Sequence, residues 1–465
     1  MKPILQALRG CAVAVMLLAS GLSMAATPFE DAVASLQAAY VRAVQPGEQA
    51  DQHRDLLGTV LSRVQRSYAR EFDLPAFTAA AVKSLDALAA GSAEAAPAFS
   101  KAMNAALGTL DPYSRYLDAR THDQQREDSS GSFGGLGLEL ESSSGAARVV
   151  ALMEGSPAAR AGVKAGDLIV RVDDVPLVSV PLNDAIARMR GKPGTAVALT
   201  IKRTGQDAEI TLSVTRDTIR RQALRSSMEG DVLVLRLGSF SGAVSAAVHK
   251  AIEDATTHVA PRGVILDLRG NPGGLLREAV LTADTFLKSG EIVSLRGRTG
   301  GTQRTWQADA TELLPNVPLV VLVDRRSASA SELVAAALQE NGRATVIGQR
   351  SFGKGTVQST YPLGGELKSA LKLTTSIYHG PSGRTVQKNG VTPDIELLTA
   401  APVRGDESRA QAALDTTEPS ATQVEQSRCA ALHPTAPDAT ISCAIAYLYA
   451  GERSLFLAKV GSPQR

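Results

Sequence analysis

The chain has 465 residues, with 49 Lys and Arg against 47 Asp and Glu, for a net charge of +2. That length suits two or three domains at roughly 150 residues each, and the near-neutral balance leaves no electrostatic footprint for nucleic acid. Past the first thirty positions no apolar run reaches the roughly 18 residues that a membrane-spanning helix needs, which excludes such a helix there.

The first residues read as an export signal spanning 1–25. Lys2 and Arg9 are a basic start, Cys11 to Leu22 is a short apolar run, and Ser23-Met24-Ala25 supplies small residues for cleavage. An uncleaved anchor is the alternative, and the apolar run is short for it. Export implies the periplasm, an oxidising compartment. Cys429 and Cys443 are the cysteines left after the signal, and an even pair there predicts a disulfide. Two buried thiols are the alternative. No histidine cluster accompanies them, so no metal site is expected.

Residues 26–120 read as helical, with Leu56, Leu57, Val60, Leu61 and Val64 at helical spacing, and suit a packing or dimerisation element. Thr121 to Ser132 is polar and reads as a linker. Residues 131–218 shift to short strands around one helix, whose Leu182, Ile186 and Met189 share a face. Across 219–398, apolar runs such as Val264–Leu268 and Leu319–Val323 alternate with amphipathic helices. That pattern predicts a largely parallel, buried α/β sheet. Residues 399–465 read as a polar connector followed by a helical tail.

Catalytic groups of such a sheet gather where strands end and helices begin. Ser327-Ala328-Ser329-Ala330-Ser331-Glu332 sits there, and a serine before a helix gains from the free N–H groups of the helix start. Ordinary capping explains the same serines. Gly353-Lys354-Gly355 follows the next strand. A lysine held between glycines, and desolvated, can serve as a general base. With a serine it makes the Ser–Lys form of nucleophilic catalysis. Gly348-x4-Gly353-Lys354 also resembles a phosphate loop. However, Gly355 stands where Ser or Thr should follow, and Val357 to Tyr361 is β-prone. Leu268-Arg269-Gly270-Asn271-Pro272-Gly273-Gly274 is either a tight turn or half of an oxyanion hole.

Together these segments resemble the carboxyl-terminal processing, or tail-specific, peptidases, from Asp111-Pro112-Tyr113-Ser114-Arg115-Tyr116-Leu117 to Pro393-Asp394-Ile395. The motifs that carry the resemblance are Ser327 to Glu332, Phe352 to Gln358, Leu268 to Gly274 and Pro381-Ser382-Gly383-Arg384. The resemblance implies a crotonase-like α/β core with an inserted PDZ domain. It further implies Ser329 as nucleophile, Lys354 as base and Gln358 holding that lysine. The N–H of Ala330 with that of Gly273 or Gly274 would form the oxyanion hole. In the PDZ module, Leu136, Gly137, Leu138 and Leu140 would line the peptide's added strand, with Leu182, Ile186 and Met189 as its apolar pocket. Core packing is the alternative for those three. Arg190 would couple capture to activation. The implied function is an envelope serine endopeptidase acting on protein substrates with exposed C-termini, without cofactor. An adaptor protein and a homo-oligomer are compatible with the chain, and neither is demanded by it. His379 reads as a surface or cleft-lining residue, and no histidine shows an Asp partner. A PDZ scaffold that no longer cuts, and a nucleotide hydrolase, are the competing readings.

Overall fold

The computed structural model describes residues 27–461 except 144–145, 258, 299–300, 310 and 399–421. The expected export signal and His258 lie outside the described residues. The chain forms two units. The smaller comprises the chain up to Gly58 together with Asp73–Thr109. Its helices are Pro28–Ala43, the start of Glu48–Ser67, Leu74–Asp86 and Ala95–Gly108. Their apolar stripes turn inward, burying Leu36, Tyr40, Leu57, Phe77, Leu85, Phe99 and Met103. Thr27 and Asp73 start two of them by accepting the N–H of Glu30 and Ala76. His53 is buried in this core, with Nδ1 at 2.8 Å from the Gln49 carbonyl and its ring against Phe99.

The larger unit is Thr59–Phe72 with everything from Leu110 onward. Its seven-stranded sheet runs in the order Leu224–Glu229, Val232–Leu237, Gly263–Asp267, Leu319–Val323, Ala344–Gly348, Ile395–Leu398 and Thr422–Glu425. All neighbours are parallel except the first pair. Val264, Leu266, Leu319 and Val321 pack into one core with the helices Val244–Thr256, Leu276–Asp284 and Ala330–Glu340. Ile265, Val320 and Leu322 face a second core containing Ile441, Ile445, Leu448 and Phe456. Both faces are covered, which is why these strands read as unbroken apolar runs.

Three expectations need correction. The C-terminal stretch is not a tail behind a loose connector. Thr422–Glu425 adds a parallel strand, and the disulfide-linked helices around Cys429 and Cys443 cover the sheet's second face. Their Ile441, Ala444, Ile445 and Leu448 would otherwise lie in water. The expected linker is mostly a helix, Ala119–Ser130. Asp118 caps its start by accepting the Thr121 N–H, and Gly131 ends it at φ 69°. It buries no residue, so it carries no apolar periodicity. The region expected to be helical also contains a strand, Arg115–Leu117.

That strand joins a five-stranded sheet. Ala370–His379 pairs with Thr356–Pro362 along one edge, and with Arg115–Leu117 and Glu291–Arg296 along the other; Thr302–Gln307 follows Glu291–Arg296. The β-rich module is a six-stranded sheet around Val149, Ile169, Leu199 and Val214, with Leu138–Ser143 as an edge strand. A ribbon of Ser132–Gly135 and Asp217–Arg220 joins its entry to its exit.

Candidate active site

Three loops at the carboxyl ends of neighbouring parallel strands converge: Leu268–Gly274, Asp324–Ser329 and Gln349–Gly355. Their backbones are bonded to one another. Ser327 Oγ donates to the Leu268 carbonyl at 2.8 Å, and Ser331 Oγ donates to that of Asn271 at 2.9 Å. The Phe352 N–H donates to the Ser327 carbonyl at 3.0 Å. Ser327 and Ser331 are fully buried, so two of the three hydroxyls hold the loops together. Ser329 alone is half-exposed. It lines a cleft of about 600 Å³ together with Ala330, Gly273, Gly274, Lys354 and Gln358. Its backbone, at φ 58° and ψ −112°, is strained for a residue with a side chain and stands at the N-terminus of the helix Ala330–Glu340. A Cβ on Gly273 would lie 2.9 Å from both Ser329 Cβ and the Ala330 nitrogen, so only glycine lets that loop close on the serine.

Lys354 is seated between Gly353 and Gly355, and a Cβ on Gly355 would meet the Gln387 nitrogen at 2.7 Å. Its Nζ lies 4.7 Å from the centre of the Tyr113 ring. Asp111 presents that ring by accepting the N–H groups of Tyr113 and Ser114. Burial pushes the Lys354 pKa down to about 8. The cations of Lys372 and Arg115 lower it further, while Glu332 and Asp111 oppose the shift. Lys372 and Arg115 face each other across the five-stranded sheet. No hydrogen bond joins Ser329 Oγ to Lys354 Nζ in this structure.

Two buried side chains tie the serine and lysine backbones together. Glu332 Oε2 accepts the N–H of Ser329 at 2.7 Å and of Lys354 at 2.8 Å. Its Oε1 accepts the Gly353 N–H and the Ser351 hydroxyl, each at 2.6 Å. The Tyr378 hydroxyl lies 2.9 Å from the carbonyls of both Ser329 and Lys354 and donates between them. Burial raises the pKa of Tyr378 well above its ordinary value, so it stays a donor.

The family model for peptidase family S41 matches residues 231–397, and that for a PDZ domain matches 148–203. A carboxy-terminal-processing protease of Bartonella bacilliformis is 43% identical over 304 residues, covering 65% of this chain and 70% of that one. The chain belongs to the S41 carboxyl-terminal processing serine peptidases. The carboxy-terminal processing protease CtpA of Bacillus subtilis is 35% identical over 289 residues, 62% of this chain and 60% of that one. A solved structure, a photosystem II D1 C-terminal processing protease, is similar at 26% identity and a TM-score of 0.46 over 76% of this chain and 93% of that one.

In this S41 peptidase the phosphate-loop alternative fails, because a strand, Thr356–Pro362, follows Lys354 where a helix would be needed. Gln358 lines the cleft, but its amide donates to the hydroxyls of Thr356 and Thr374 at 3.0 and 3.2 Å and not to Lys354. The Gly273 N–H is engaged by Asn271 Oδ1 at 2.9 Å. The N–H groups of Gly274 and Ala330 have no acceptor among the described residues, which favours Gly274 of the two glycines. In the PDZ module Leu136 and Met189 are buried in the core. Leu138, Leu140 and Leu182 pack partly against it, Ile186 is half-buried, and Gly137 turns at φ 72°. Arg190 stacks at 4.4 Å on Phe133, which belongs to the entry ribbon.

No described histidine lines the Ser329 cleft. His249 sits at 2.7 Å from the Thr285 hydroxyl, His122 at 3.1 Å from the Lys368 carbonyl, His433 stacks on Tyr449, and His379 is half-buried at a strand end. Sequence reasoning missed the roles of Glu332, Tyr378, Tyr113 and Lys372. Glu332 stands three residues after Ser329, the spacing of a capping box, and that was a usable signal. Nothing local marks the other three.

Proposed function

We propose that this protein is an exported endopeptidase of the cell envelope that captures exposed C-termini in its PDZ groove and cleaves upstream through an acyl-enzyme on Ser329. The observation that carries the reading is a half-exposed serine at a helix start sharing one cleft with a lysine of depressed pKa, their backbones tied through one carboxylate. Ser329 Oγ attacks the scissile carbonyl while Lys354, neutral and moved off the Tyr113 ring, accepts its proton. The N–H groups of Ala330 and Gly274 receive the oxyanion. Lys354 then protonates the leaving amine and later takes a proton from the water that releases the acyl group. Gln358 is assigned to orient the amine once it leaves Tyr113. The edge strand Leu138–Ser143 is open to an added peptide strand, with Ile186 and Leu182 on the adjacent helix. The disulfide supports an oxidising compartment.

The test is cleavage of an unfolded protein with an apolar C-terminus, followed with and without substitution. Ser329→Ala is expected to lose about 10⁴-fold or more while still binding a C-terminal peptide. Wild-type-like cutting by that variant, or a wild type that binds and never cuts, sinks the proposal.

The pH dependence has a definite sign. Lys354 must be uncharged to act, so kcat/KM should rise with pH through about 8. Lys372→Met removes a neighbouring cation that holds this pKa down. The midpoint should then move to higher pH and activity at pH 7 should fall several-fold. Lys372→Arg should leave the profile in place. An unmoved profile in Lys372→Met would show that the charge does not reach the amine.

A further inference from the structure

A second cleft, of about 580 Å³, opens beside the first. The two share Leu276 and Val357 as walls. They also share a sheet face: Tyr378 reaches the Ser329 loop, and Ser376, two residues earlier on the same strand, lines the second cleft. Arg66, Arg298 and Arg304 line this second cleft, and no lining residue is Asp or Glu. Arg304 lies flat on Trp306 at 4.4 Å, and Arg63 on Tyr361, a further wall, at 4.4 Å. The sole carboxylate beside any of them is Glu71, 3.8 Å from Arg298 and 90% exposed. Guanidinium groups spread over aromatic faces keep their N–H donors free for an incoming acceptor. A concave wall of one charge sign selects the opposite sign.

The other end of the Ser329 cleft leads elsewhere. It is bounded by Ser129, Arg221 and Ser239, and continues through Arg221 and Ser241 into an open cleft containing Ser132 and Arg220 of the ribbon that joins the PDZ module. A substrate whose C-terminus is held by the PDZ module therefore sends its leaving part toward that end. The part that becomes the acyl group runs the opposite way.

We propose that the cleft between Trp306 and Tyr361 holds the substrate residues preceding the scissile bond and selects acidic side chains there through Arg66, Arg298 and Arg304. This rests on the proposed reading of Ser329 as nucleophile and of the PDZ groove as the seat of the C-terminus. The substrate class is accordingly an envelope polypeptide with an apolar C-terminus and an acidic segment upstream of the cut.

The test uses the full chain and a peptide set with one apolar C-terminal anchor. A neutral upstream segment is compared with single Glu or Lys replacements at each of the six positions before the cut. Wild type is expected to cleave the Glu peptide about tenfold faster than the Lys peptide, in kcat/KM, at one or more positions. Raising salt from about 0.05 M to about 0.5 M should shrink that ratio. The double variant Arg66→Glu/Arg304→Glu should reverse the preference while cutting the neutral peptide within about threefold of wild type; Arg66→Gln/Arg304→Gln should abolish it. Both arginines are exposed, so folding is not at stake. If the neutral peptide is not cut by wild type, the reading of the active site fails. If it is cut but Glu and Lys peptides are cut alike, or the charge-reversed variant keeps the acidic preference, the inference about this cleft is overturned while the active-site reading stands.

Discussion

Replacing Lys354 with Met is expected to abolish peptide cleavage and, at pH 7, to make the protein harder to unfold. The two effects have one cause. In the unfolded chain this lysine titrates near 10.5, and burial in the folded site brings it to about 8. Between those values the unfolded chain binds more protons than the folded one, so stability rises with pH across that window. Below about 8 the penalty is complete: the fold holds an ammonium that would be better hydrated outside. A pKa displaced that far implies a cost of about 3 kcal/mol, and partial exposure of the amine brings it to on the order of 2 kcal/mol. Met keeps the length of the stem without the charge. Urea unfolding of both proteins at pH 7 and at pH 10.5 checks this. The variant should lead by on the order of 2 kcal/mol at pH 7, and the gap should close at pH 10.5. Its cleavage should fall about 10⁴-fold or more, since no other described base lines the cleft. A variant less stable than wild type at both pH values would mean that the amine is not sheltered. The base assignment would then lose its physical ground. Natural sites that store such strain exchange stability for activity, and Ser329, at positive φ, stores a second portion beside the first.

The strands Gly263–Asp267 and Leu319–Val323 were legible because both of their faces are buried, which writes each of them as one apolar run. Ser329 and Lys354 were legible because small residues and glycines at strand ends leave local marks. The helix Ala119–Ser130 was not, since it buries nothing and shows only its caps, Asp118 and Gly131. The strands Glu291–Arg296 and Thr302–Gln307 were missed for a related reason: their residues are mostly polar, and only pairing with Ala370–His379 makes them strands. The groups that tune and hold the site depend on such pairing. Lys372 matters because register sets it against Arg115 and beside Lys354, and Tyr113 matters because Ser114 accepts the Thr374 N–H across 260 positions of chain. Gln358 shows the opposite failure. Its place in a motif implied a bond to Lys354, and the bulge in its strand between Val357 and Gln358 directs its amide to Thr356 and Thr374.

Glu332 carries the last large effect. Its carboxylate is the acceptor for three backbone N–H groups and one hydroxyl, drawn from both the serine loop and the lysine loop. It is fully buried; burial raises its pKa, while the four donors pull it back down. Glu332→Ala strands those donors in a site without water, at about 1–3 kcal/mol each, so a total loss of about 5 kcal/mol is expected. Glu332→Gln is not conservative either. Its amide oxygen can accept from two of the four donors, and its NH₂ then faces the other two, for a loss of about 2–4 kcal/mol. At a temperature where the Gln variant remains folded, kcat should fall about 10²-fold, because Ser329 and Lys354 lose the tie that sets their separation. Peptide affinity of the PDZ module should not change. The pH profile separates this positioning role from general loosening. The Glu332 charge raises the Lys354 pKa, so removing it should move the rising limb of kcat/KM to lower pH, opposite to the shift expected for Lys372→Met. A Gln variant with the wild-type rate, stability and profile would show that the two loops are held by Tyr378 and the loop backbone alone.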